Sequence, residues 1–288
     1  MSILTDHAVF RLIELPQGVI RYYDVGSGPT LVFVHGVFVN GTLWRDVVPS
    51  LASRFRCIVP DLPLGAHIHP LHSHADRSPD GVARFLADFL AALNLRDVTL
   101  VGNDTGGALC QICITQHPDR IVGLVLTNCD AYEAFFPLLL QPFQFGAHRF
   151  GDGFGEFLAR VLRRRIAQRL FVKLVSLRRP DTATLDAYFA PFLADAAVRR
   201  DLVQFVAAIS NRSTLEAAKQ FPRFPHPVLI VWGQSDPFFS ARNARRLQHD
   251  FPNATLTFVS HSRAFVPEDQ PQRLAALIAD FLPVPGSV

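Results

Sequence analysis

Tyrosine and tryptophan are scarce in this 288-residue chain, 4 and 2 against 25 phenylalanines, so nearly all of its aromatic mass lacks a polar tip. Wet recognition surfaces favour rings that are apolar with one hydrogen-bonding end, so this skew suits an apolar interior or pocket wall instead. Cysteine is sparse too. Cys57, Cys110, Cys113 and Cys129 are too few and too unevenly placed for a disulfide framework, which points to a reducing, cytoplasmic setting. The lone C-x-x-C of Cys110 and Cys113 lacks the second pair of a structural zinc site and falls in an apolar helical run. Long apolar runs are missing: the greasiest stretch, 134–147, is broken by Pro137 and Pro142 and is shorter than the roughly 20 residues a span requires. The start MSILTDHAVF has no basic cluster and no signal-length apolar run, so neither secretion nor a membrane partner is expected. A formal charge of +3 from 28 basic and 25 acidic residues is too slight for nucleic acid. Its densest basic group, Arg163, Arg164, Arg165 and Arg169, reads as the solvated face of a helix.

What is present is apolar substance, 49% of residues hydrophobic against 18% charged, which is enough for a large core. Apolar strand-like runs alternate with helical patterns, as in a mostly parallel sheet covered by helices on both faces. A hairpin is expected over 9–25, then strands over TLVFVH (30–35) and FRCIVPD (55–61), with a helix beginning near Leu43 between them. The segment 79–93 carries Val82, Phe85, Leu86, Phe89 and Leu90 at helical period with Pro79 at its first turn. VTLVGN (98–103) predicts a buried strand running into the helix TGGALCQICITQH, which Pro118 stops, and IVGLVLTN (121–128) predicts another strand. After Asp130 the alternation ceases for roughly 90 residues, and PVLIVWG, a helix over 241–249, ATLTFVS and a helix over 271–282 then restore it. The expectation is an α/β core of 1–130 and 225–288 with a helical insertion at 131–224. His67, His69, His72 and His74 crowd a proline-containing loop without ligand spacing. No metal site and no cofactor is expected.

The chemistry lies where the pattern turns. Gly102, Asp104 and Gly106 form G-x-D-x-G between a buried strand and a helix. A strand that turns straight into a helix leaves its middle residue on a strained corner, with free N–H groups of the helix start behind it, and only small neighbours allow so tight a closure. With His35-Gly36 after the third strand, the GQSDP loop bearing Asp236, and the late VSHSRAFVPEDQP segment, the chain resembles the α/β-hydrolase fold, and within it the aspartate-nucleophile branch of haloalkane dehalogenases and epoxide hydrolases.

That resemblance implies Asp104 as nucleophile and Asp236 as the acid that orients a histidine base. It implies an oxyanion hole from the N–H of Thr105 and one from the turn after His35, Val37 or Phe38. The position matching the family's histidine, just before the aromatic-x-x-Glu-Asp stretch, is Ala264, with His261 three residues earlier as a displaced candidate. A carboxylate has a reference pKa of about 3.9, so Asp104 is expected to be ionised at neutral pH and able to attack an sp³ carbon without a base. Only the later hydrolysis of the alkyl-enzyme ester needs one. The implied enzyme therefore opens an epoxide or a carbon–halogen bond of a lipophilic small molecule and releases its ester poorly. A non-hydrolytic relative that binds or rearranges a small molecule is the alternative. Thr105 replaces the tryptophan that dehalogenases usually carry beside the nucleophile, and Gly106, Gly107 and Ala108 offer no arginine for a small acid. Tyr132, Tyr188 and His148, with Asn40 near the oxyanion turn, remain as candidate leaving-group donors. The phenylalanine- and leucine-rich run over 135–157 is expected to supply part of the pocket wall.

Overall fold

The computed structural model describes residues 10–282. Eight strands form one sheet: β1 (Arg11–Leu15), β2 (Gly18–Val25), β3 (Thr30–Val34), β4 (Arg56–Pro60), β5 (Val98–Asp104), β6 (Ile121–Cys129), β7 (Val228–Gly233) and β8 (Ala254–Val259). Their order is β1-β2-β4-β3-β5-β6-β7-β8, and β2 alone runs against the others. β3, β5, β6 and β7 are continuous apolar runs because helices cover both faces of the sheet and leave no polar side. Val9, where the first strand was expected to begin, lies outside the described residues.

Helix α1 (Pro79–Ala92) starts where the sequence signals it: the Ser78 hydroxyl accepts the N–H of Gly81, proline occupies the first turn, and the apolar stripe is buried. α2 (Thr105–Gln116) follows β5 without a linking residue and is buried almost all round, Cys110 and Cys113 included. The helix expected from Leu43 is instead a 3₁₀ turn, Gly41–Trp44, and a single α-turn, Val48–Leu51. Pro49 lacks the N–H that would bond back across the gap, so the two pieces cannot merge. α9 (Ala241–Asp250) and α10 (Pro271–Phe281) flank β8.

Between β6 and β7 lie α3 (Gln141–Phe150), α4 (Asp152–Leu162), α5 (Arg165–Val175), α6 (Thr182–Ala194), α7 (Ala196–Ala208) and α8 (Asn211–Ala218), with no strand among them. Buried charge fastens this helical insertion to the core. Arg45 grips Glu268 with two parallel hydrogen bonds of 2.6 and 2.7 Å, and the Tyr188 hydroxyl of α6 donates to the same carboxylate. On the other flank Asp201 of α7 accepts from Arg77 at 2.6 Å and pairs with His67. Burial alone would raise the Asp201 carboxyl, but the bonds from His67 and Arg77 pull it below its usual value. His67 is thus a tie to the insertion, while His72 and His74 are exposed on the loop. Asp269 accepts from the Ser176 hydroxyl and from the N–H groups of Leu177, Arg178 and Arg263.

Removing one member of a buried ion pair takes away the charge that offset the other's desolvation, and the Thr42 carbonyl and the more distant Asp46 that Arg45 would keep replace only part of it. Glu268→Ala is therefore expected to lower unfolding stability by about 3–5 kcal/mol in urea titration, and a loss below about 1 kcal/mol would show that Arg45 finds water instead.

Candidate active site

The turn from β5 into α2 holds Asp104 at φ +56°, a conformation that L-residues rarely adopt. Two glycines make room for it. A Cβ on Gly106 would run into the carbonyls of Val34 and His35, and one on Gly36 would overlap the Asp104 carboxyl itself. The backbone N–H groups of Thr105 and Val37 favour the ionised form of that carboxyl. Of the two amides open after His35, Val37 is the one directed at Asp104, because the Phe38 N–H is taken by the carbonyl of Leu64 at 2.9 Å. Phe38 belongs to packing: its ring meets Phe143, Phe171 and Phe192 of the insertion edge-on. His35 is buried and holds the turn, accepting the Leu62 N–H on Nε2 and bonding the Gly36 carbonyl through Nδ1. Burial lowers its pKa and keeps it neutral.

Asp236 follows β7 and lies close enough to Asp104 for their charges to interact. The Asn128 amide donates to one of its oxygens at 2.6 Å and the Phe238 N–H to the other at 2.9 Å. Burial still pushes it up to about 6. Asp104 is pushed up to about 7, chiefly by burial and then by the charge of Asp236, against the opposing pull of the two N–H groups. Burial and the neighbouring charge thus disfavour the ionised form of Asp104, which a free carboxylate favours.

Three polar residues in or directly after apolar strand runs, Asn103 in β5, Asn128 in β6 and Asp130 just beyond it, went unread as site residues. Asn103 donates to the Thr127 hydroxyl and, at 2.7 Å, to the carbonyl of Ala264. Asn128 positions Asp236 while accepting from the N–H of Gly233. Asp130 is fully buried, accepts from the Thr105 hydroxyl at 3.2 Å, and has one carboxyl oxygen with no partner. Burial, followed by the charge of Asp104, pushes its pKa well above the ordinary range. The legible signal was a polar side chain at a position where a doubly covered strand otherwise admits only apolar ones.

Ala264 is wholly buried at the end of the loop after β8. His261, on the same loop, is exposed. The other donor candidates are placed elsewhere. Tyr132 donates to Asp250 at 2.9 Å and lies beneath Arg246, Tyr188 is committed to Glu268, and His148 is exposed on α3. Asn40 donates to the carbonyl of Ala187 at 2.8 Å and caps the 3₁₀ turn, facing a separate groove of about 680 Å³ that does not include Asp104. Over Asp104 itself is a cavity of about 40 Å³ walled by Val37, Leu140, Phe171, Leu174, Phe238 and Phe265, among others. Of the apolar run over 135–157 only Leu140 reaches it, whereas Phe145, Phe150 and Phe157 are exposed, because α3 and α4 each turn one face to solvent.

Residues 29–271 match the family model of the alpha/beta hydrolase fold, so the chain belongs to that family. Among its relatives, haloalkane dehalogenase 2 of Mycobacterium tuberculosis is 28% identical over 282 residues, covering 94% of this chain and 93% of that protein. An alpha/beta hydrolase fold protein from Burkholderia ambifaria superposes with a TM-score of 0.82 at 23% identity, over 95% of this chain and all of the other. The epoxide hydrolase CorEH gives a TM-score of 0.81 at 20% identity, over 96% and 98% of the two chains.

A carboxyl whose pKa is higher folded than unfolded stabilises the fold below its unfolded value, near pH 4, and that contribution disappears as pH rises through the folded value near 7. Asp104→Asn removes the penalty. The variant is expected to gain on the order of 4 kcal/mol over the parent at pH 8 and little at pH 4 in thermal melts, and an equal difference at both pH values would mean that Asp104 is not strained by burial.

Proposed function

We propose that this protein is a covalent hydrolase in which Asp104 attacks an sp³ carbon of a lipophilic small molecule, with the helical insertion as its cap. One observation carries the reading: an aspartate on the strained corner, its carboxyl served by the N–H groups of Thr105 and Val37, at the base of an apolar cavity. A carboxylate oxygen forms the new C–O bond, the carbon–leaving-group bond breaks, and the leaving group departs with the bonding pair. Water attacking the Asp104 carboxyl carbon would then split the ester, with the oxyanion received by Thr105 and Val37.

Which bond breaks follows from what surrounds it. An alkoxide from an epoxide is strongly basic and needs an acid aimed at it, and both tyrosines that could serve are engaged elsewhere. A halide leaves without a proton. The cavity wall, apolar apart from Asp104, therefore favours a carbon–halogen bond over an epoxide, in keeping with the dehalogenase relatives. The second half-reaction lacks a base, since Ala264 stands where the resemblance places histidine. Loss of a general base costs typically 10²–10⁴-fold in the step it serves, so the ester on Asp104 is expected to accumulate.

Intact-mass measurement after incubation with a panel of haloalkanes and epoxides is the direct test. The expected result is an increment of one alkyl group with a haloalkane, lost in Asp104→Asn, and an Ala264→His variant that turns over instead of accumulating it. No increment with any compound would overturn the reading. The rate of adduct formation should climb about tenfold per pH unit below the Asp104 pKa of about 7 and level off above it. Asp236→Asn removes the neighbouring charge and is expected to move that inflection to lower pH; an unmoved inflection would exclude Asp236 as a cause of the shift.

A further inference from the structure

The segment 157–180 holds eight of the 28 basic residues of the chain and none of its 25 acidic ones, and without it the chain would be net acidic. On α5 these charges are ordered. Arg165, Arg169 and Lys173 recur every four residues and so share one stripe, and Ile166, Leu170 and Leu174 recur one position later in the stripe beside it. The inner face of the helix is taken by Gln168 and Val172, so both stripes face outward, with Ile166 68%, Leu170 58% and Leu174 48% exposed. Next to them a groove of about 570 Å³ has an apolar floor of Ile166, Leu170 and Leu177 and a rim of Arg169, Lys173, Arg178 and Arg179. Arg165 pairs with Asp186 and Arg178 with Asp46, whereas Arg160, Arg163, Arg164, Arg169 and Arg179 pair with no carboxylate among the described residues.

We infer that this face of the insertion docks on the surface of an anionic phospholipid bilayer, the arginines on the phosphates and the aliphatic side chains among the upper acyl carbons. Charge decides the occupant. A second copy of the chain seated on the same face would set arginine against arginine, and like charges held together cost several kcal/mol. An anionic lipid surface answers both stripes at once, as interfacial helices require. No described helix is long and apolar enough to cross a membrane, and docking needs none. The absence of a span, from which no membrane partner was expected, therefore bears on crossing alone. Leu174 belongs both to this face and to the wall of the cavity over Asp104, so a docked molecule would take a lipophilic substrate from the lipid side. That last step rests on the proposed function; the docking does not.

Flotation of the full chain with vesicles of phosphatidylcholine alone, or of phosphatidylcholine mixed with an equal part of phosphatidylglycerol, tests it without any substrate. Binding to the mixed vesicles only is expected. With each basic residue near the surface contributing about 1 kcal/mol, the triple variant Arg169→Glu, Lys173→Glu, Arg179→Glu should bind at least about a hundredfold more weakly. Ile166→Ser with Leu170→Ser should retain the salt-sensitive attraction at low ionic strength but lose the binding that survives added salt. All five positions are exposed, so melting temperatures should match the parent. No flotation with either vesicle, flotation indifferent to the arginine variant, or a dimer in solution that the same variants dissolve would each overturn the inference. Because no chemistry is read, a failure here is separate from a failure of Asp104 to be alkylated.

Discussion

The corner at Asp104 is the constraint on which the rest of the site depends. A side chain held at positive φ between a strand and a helix leaves almost no space around it, so the neighbours are glycines and the helix behind them must be buried on every side. The same closeness brings the amides of Thr105 and Val37 to the carboxyl. It also takes that carboxyl out of water, which raises its pKa. The amides and the burial oppose each other, and the resulting value near 7 records their balance.

Around this corner the carboxyls are unequal. Asp236 has an amide, two backbone N–H groups and Arg263 to favour its charge. Asp130 has one hydroxyl bond and an oxygen without a partner, so burial raises its pKa well above the ordinary carboxylate range with little to oppose it.

Much of the fold was legible because the determinants are local. The doubly buried strands read as mostly apolar runs, α1 announced itself through Ser78 and Pro79, and the G-x-D-x-G spacing located the corner to the residue. The donor assignments were not legible, because they depend on where a side chain spends its one hydrogen. Tyr132 and Tyr188 are suitable acids by type, yet Asp250 and Glu268, distant in sequence, claim them. Phe38 and Val37 are equivalent in sequence until the Leu64 carbonyl takes one amide. Composition misled as well: the phenylalanines of α3 and α4 looked like pocket wall, and several of them face solvent.

Asp269 holds together two parts that the sequence separates by some 90 residues, the loop of Arg263 and the exit of α5 at Ser176–Arg178, and the Phe265 N–H adds a bond to the carbonyl of Val175. A cavity of about 40 Å³ is on the scale of one water molecule, so admitting any organic molecule means displacing its walls, and α5 supplies three of them, Phe171, Leu174 and Val175. Because these bonds join α5 to the loop carrying Ala264, that wall cannot move outward without either breaking them or drawing the loop along with it.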